Sequence, residues 1–112
     1  MEGFENENFE NEDIAFKLIL HAGNAKSLAM EAIYESRDGN FDESEQKLQE
    51  AEKELTVAHK CQSKMIFAES NGKQHEAKIL LSHAMDHMAM ATISYEMAEE
   101  IVLLRKERGD KK

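Results

Sequence analysis

Proline and tryptophan are absent from the 112 residues, cysteine occurs once and glycine five times. Without proline, and with so few glycines, the chain has little material for loops, which points to long helices. The lone Cys61 excludes an internal disulfide framework and fits a reducing compartment, so a cytoplasmic location is expected. No apolar run approaches the ~20 residues needed to span a bilayer, and no apolar leader follows Met1, so membrane insertion is not expected. Bases are outnumbered by acids, 14 to 23, and a net charge of −9 disfavours a nucleic-acid partner. What is present is 41% apolar and 33% charged residues, the balance of one globular domain.

The negative charge is concentrated at the start. Residues 1–13 carry Glu2, Glu5, Glu7, Glu10, Glu12 and Asp13 and no base, leaving 17 acids against 14 bases elsewhere. Phe4-Glu5-Asn6-Glu7 is echoed by Phe9-Glu10-Asn11-Glu12 with no further apolar periodicity. Residues 1–12 are therefore expected to form a mobile acidic arm, 13–108 the folded body and 109–112 a tail.

Two glycine turns divide the body, Asp38-Gly39-Asn40 and Asn71-Gly72-Lys73. They predict helices over about Asp13–Arg37, Asp42–Ser70 and Gln74–Arg108, with Asp42 and Glu45 at capping-box spacing and Phe41 as a staple. Short turns between rods of roughly 40–50 Å predict an all-α, antiparallel up-down-up three-helix bundle. The first helix turns Ile14, Leu18, Ala22, Ala25, Leu28, Ala29 and Ile33 inward, and the second Leu48, Ala51, Leu55, Ala58, Gln62 and Met65. Frequent small residues in the first helix (Ala22, Gly23, Ala25, Ser27, Ala29) would let another backbone approach closely.

The third helix is apolar on more than one side. One stripe holds Ala77, Leu81, Ala84, Met88, Ala91, Tyr95, Ala98 and Val102. A second holds Leu80, His83, His87, Met90, Ser94, Met97, Ile101 and Leu104, and a third Ile79, Ser82, Asp86, Ala89 and Ile93. A three-helix monomer leaves one face of each rod open to water, so this helix needs other subunits to cover it. A homo-oligomer built along it is expected.

His83-Ala84-Met85-Asp86-His87 carries the chemistry. At 100° per residue, Asp86 lies roughly 60° to one side of His83 and His87 roughly 40° to the other. Two histidines and a carboxylate on an otherwise apolar stretch are costly to bury without purpose. Zinc hydrolysis through His83 and His87, with Asp86 in the place of a catalytic Glu, would need a further ligand and a cleft. Phosphoryl carriage needs less: a nucleophilic imidazole, a neighbour to orient it and access for a partner protein. A structural His/Asp metal site in a non-catalytic scaffold is the remaining reading. Cys61 and His59 are two apart and face different ways, so Cys61 reads as a small core residue. His21 and His75 read as solvated or at helix ends, and the basic C-terminal residues as complements to the helix dipole.

Three segments together resemble the enzyme IIA component of the lactose/cellobiose/chitobiose class of the bacterial phosphoenolpyruvate-dependent sugar phosphotransferase system. They are Ala22-Gly23-Asn24-Ala25-Lys26-Ser27-Leu28-Ala29-Met30-Glu31-Ala32, Ala58-His59-Lys60-Cys61-Gln62 and Leu81-Ser82-His83-Ala84-Met85-Asp86-His87-Met88. The resemblance covers about residues 13–105, and its third segment is the most specific. It implies a phosphocarrier in which His83 takes a phosphoryl group from HPr and passes it to a cysteine of enzyme IIB. It also implies a homotrimer, a nine-helix bundle, with Asp86 and its symmetry mates on the axis binding a divalent cation, generally Mg²⁺. His87 and Gln62 match supporting residues, and the sugar would be a β-linked disaccharide of the cellobiose, lactose or chitobiose type. The family commonly has Gln at Met85 and Leu-Met-Thr at Met88-Ala89-Met90, departures that bear on the groove meeting partners. The residues agree with this placement of Asp86. Three symmetry-related carboxylates on an apolar stripe would repel one another unless they share a proton or a cation.

Overall fold

A computed structural model describes the backbone of residues 2–70 and 78–109, which is helical throughout apart from short turns. The helices are α1 (Glu2–Arg37), α2 (Phe41–Ser70) and α3 (Lys78–Arg108). The expected Asn71-Gly72 turn, the Gln74 start of the third helix, and His75 lie outside the described residues.

α1 begins at Glu2, not at Asp13, so the acidic repeat expected as an arm is written on the first turns of a helix. Nothing between residues 4 and 22 breaks a helix, since Pro is absent and no Gly intervenes.

α1 stops at a left-handed glycine. Gly39 has φ 83°, its N–H donates to Ser36 O at 3.1 Å, and the Asn40 N–H donates to Glu35 O at 2.9 Å. This pair of bonds satisfies the carbonyls that a helix end leaves open. Asn40 then starts α2, its carbonyl accepting the Ser44 N–H at 2.9 Å. The expected Asp42/Glu45 capping box gives way to this arrangement. Asp42 lies within the first turn, where its charge complements the dipole, and the Glu45 carboxylate accepts from Lys106 Nζ instead.

The core is built largely from alanine. Ala15, Ala22, Ala25, Ala29 and Ala32 of α1 are buried, as are Ala51 and Ala58 of α2 and Ala84, Ala91 and Ala98 of α3. Larger groups fill the gaps: Leu18, Leu55, Cys61, Met65, Met88 and Val102. Cys61 is a free, buried thiol, as expected of a core residue. Residues with so little beyond Cβ let helix axes approach closely.

Polar contacts tie the helices together. Ser44 Oγ, fully buried, donates to Ala32 O at 2.5 Å, and Lys47 Nζ lies 2.8 Å from Glu31 Oε1. Further along the same pair, His21 Nδ1 is 2.6 Å from Glu54 Oε1, and Asn24 Nδ2 donates to the same oxygen at 3.3 Å. His21, expected to be solvated or at a helix end, is half-buried within α1 and bonded to α2. The C-terminal bases also do more than complement a dipole. Arg105 Nη1 donates to Ile33 O at 3.0 Å and to the buried Ser36 Oγ at 2.9 Å. Among the described residues, no buried side-chain nitrogen or oxygen lacks a partner.

Candidate functional site

The face that α3 turns to the core is the first of its three stripes: Ala84, Met88, Ala91, Ala98 and Val102 are buried. Once that stripe is committed, a helix of 3.6 residues per turn must present the other two outward or sideways. Ser82, His83, Asp86, Ala89, Met90, Ile93 and Met97 are accordingly exposed, and His87 is half-buried.

His83 and His87 come together at one turn's separation. Their Nε2 atoms are 3.2 Å apart, with ring centroids at 4.5 Å and planes at 88°. The edge of one ring therefore meets the other, and one imidazole can donate to the lone pair of its neighbour. Such a bond keeps the accepting nitrogen unprotonated, its lone pair engaged by the neighbouring N–H and released when that N–H turns to another acceptor.

Asp86 shares the turn but not the contact. It is exposed on the apolar side of α3 and has no hydrogen bond or ion pair among the described residues. Gln62 is placed elsewhere. Its Nε2 donates to Met85 Sδ at 3.3 Å, and Met85 is roughly 160° around α3 from both histidines. Within one chain the fold brings His83 and His87 together, sets Asp86 on the neighbouring flank and directs Gln62 to the other side. His59 is exposed and Cys61 buried, so they form no pair. No group of three or more His, Cys, Asp or Glu side chains able to hold a metal occurs among the described residues. A self-contained zinc hydrolase centre is thus not assembled from them.

The family model for the lactose/cellobiose-specific IIA subunit of the phosphotransferase system matches residues 13–106. The chain belongs to that family. The IIA subunit is 43% identical over 97 residues to the lichenan-specific phosphotransferase enzyme IIA component of Bacillus subtilis, covering 87% of this chain and 88% of that protein. It is 37% identical over 110 residues to the oligo-β-mannoside-specific component of the same organism, covering 97% and 99%. The crystal structure of the cellobiose-specific enzyme IIA from Bacillus anthracis superposes with a TM-score of 0.84 at 36% identity, covering 91% of this chain and 94% of that one. The IIA subunit is therefore a phosphotransferase component, which answers the reading as a non-catalytic scaffold. Among the described residues no helix is long and apolar enough to cross a membrane.

The sequence did not show the Gln62–Met85 contact or the Arg105 bridge. Both depend on the register between helices, which spacing along one helix does not contain.

Proposed function

We propose that this IIA subunit carries a phosphoryl group on His83, accepting it from phosphorylated HPr and passing it to the cysteine of enzyme IIB. The observation that carries the reading is the exposed His83–His87 pair with Nε2 atoms 3.2 Å apart, on a 31-residue helix in a member of this family. His83 Nε2 attacks phosphorus in line as the P–N bond to the histidine of HPr breaks. His87 orients the acceptor ring beforehand and then donates to a phosphoryl oxygen, balancing part of the charge that arrives. Transfer onward reverses the sequence, with the thiolate of enzyme IIB as nucleophile.

The helices run up-down-up in this reading, which the α1–α2 contacts Ala32–Ser44 and His21–Glu54 and the α2–α3 contacts Glu45–Lys106 and Gln62–Met85 support. Three subunits pack α3 to α3 in a nine-helix trimer. Ile93, Met97 and Leu104 are 60%, 56% and 59% exposed in one chain, more open apolar surface on one helix than a monomer tolerates. Asp86 sits on that face with no base beside it, and a hard divalent cation suits such an oxygen donor. Asp86 and its symmetry mates would hold Mg²⁺ at the axis, where the ion supplies neutralising charge and leaves phosphoryl transfer to His83. Gln62 would then act on a histidine only from a neighbouring subunit. The transported sugar is a β-linked disaccharide of the cellobiose, lactose or chitobiose type, and the work is done in the cytoplasm.

The test is incubation with phosphoenolpyruvate, enzyme I and HPr. Wild-type protein gains one acid-labile phosphate per chain and His83→Gln gains none. Phosphorylation of His83→Gln but not of His87→Gln would move the nucleophile to His87.

A further inference from the structure

We propose that the His83 and His87 Nε2 atoms form a two-toothed clip for a borderline transition-metal ion, Zn²⁺ or Cu²⁺, and that the ion and the phosphoryl group compete for it. This goes beyond phosphoryl carriage and rests on His83 as the acceptor for its second half only.

The geometry supports the clip directly. Two imidazole nitrogens bound to one zinc ion at about 2.0–2.1 Å are about 3.3 Å apart for tetrahedral angles and about 2.9 Å apart for right angles. The observed Nε2···Nε2 separation is 3.2 Å, inside that interval, so the two nitrogens already stand at a chelating distance, and metal entry displaces the shared proton and turns the rings until both lone pairs meet at the ion. The two Cα atoms are one turn apart in the interior of a 31-residue helix, so their spacing is fixed before any ion arrives. His83 is exposed, so the site is open to solvent. Neutral imidazole suits zinc and copper, whereas Mg²⁺ prefers oxygen. The clip is therefore a different site from Asp86, which supplies only carboxylate oxygen.

No third protein ligand is assembled around the pair among the described residues. Water completes the coordination, so binding is reversible and the ion exchanges. In the bound form both Nε2 lone pairs point at the metal, and His83 has no free pair to attack phosphorus. Conversely, a phosphoryl group on His83 Nε2 removes one tooth. Each ligand excludes the other, and free zinc lowers the fraction of subunits able to accept phosphate.

The experiment has two arms on the untagged full chain. In the first, isothermal titration with ZnCl₂ should give one site per chain, and MgCl₂ should not compete for it. His83→Gln and His87→Gln should each weaken zinc at least about tenfold, while Asp86→Asn leaves it unchanged. Zinc affinity that survives the double His83→Gln, His87→Gln variant, or is absent in wild type, overturns the clip. In the second arm, purified phospho-HPr is mixed with zinc-loaded and desalted protein, so enzyme I is never exposed to the metal. Transfer should fall in proportion to occupancy and return on adding EDTA. Unslowed transfer to loaded protein overturns the competition. If metal-free protein takes no phosphate, the carrier reading fails, and the first arm still decides the clip.

Discussion

Gln62 donates to Met85 Sδ across 3.3 Å, joining α2 to the side of α3 opposite the histidine pair. Sulfur is a weak acceptor, so this contact holds the helices less firmly than an amide oxygen would. Met85→Gln places a carbonyl within reach of the Gln62 amide and should raise stability by about 0.5–1 kcal/mol. A double-mutant cycle with Gln62→Ala checks it by urea denaturation: the gain should vanish when Gln62 is absent. Phosphoryl uptake should be unchanged in Met85→Gln, because neither altered group touches His83.

Gly23 lies within α1, and a Cβ built there meets nothing within 4 Å. Its φ is helical, so neither the backbone nor the local packing of one chain calls for glycine. Gly23→Ala should therefore stabilise the isolated fold by about 0.5–1 kcal/mol through helix propensity. A loss of that size, with weaker assembly of the proposed trimer in light scattering, would show instead that a neighbouring subunit comes against α1 at this position.

The tyrosine at α3's midpoint carries a pH dependence. Burial first, then the hydrogen bond to Glu99 and the charges of Glu99 and Glu52, push the Tyr95 hydroxyl up from 10 to about 12. The folded state therefore favours the protonated phenol. Its contribution is intact below pH 10 and is lost as pH rises from 10 towards 12, where the unfolded chain releases its proton first. Denaturation midpoints of wild type should fall more steeply across that window than those of Tyr95→Phe. Equal slopes would mean that the phenol titrates alike in both states.

How much of this was readable beforehand follows from where each interaction lies. The α3 core stripe from Ala84 to Val102 and the closeness of His83 to His87 are properties of one helix, and helical spacing fixes both. The start of α1 was misplaced because the acidic repeat lacks apolar spacing, yet its residues carry no helix stop. The capping box is displaced because Asn40 sits two residues nearer than Asp42 to the Schellman turn at Gly39 and takes the first α2 bond. Arg105 reaches Ile33 and Ser36 across 72 and 69 positions of sequence, and Gln62 reaches Met85 across 23. Such pairs follow from how helices slide against one another, which no periodicity along one of them reveals.

Asp86 and His83 are three residues apart, and their roles separate by direction. His83 faces its partner histidine, whereas Asp86 stands on the exposed side of α3 among Ala89, Met90 and Ile93. On the proposed axis, three carboxylates would meet in a setting that offers no base, so they repel unless a cation lies between them. Asp86→Leu replaces that cost with apolar contact, worth about 1.5–3 kcal/mol for each side chain fully buried. The variant should remain a trimer by light scattering, melt at a higher temperature than wild type and lose any dependence of its melting on Mg²⁺ or EDTA. It should also accept phosphate from HPr, since His83 and His87 keep their 3.2 Å relationship. Dissociation of Asp86→Leu into monomers would mean that the cation binds the subunits together and that the apolar face alone is insufficient. Retained assembly without phosphoryl uptake would instead draw Asp86 into the chemistry at His83.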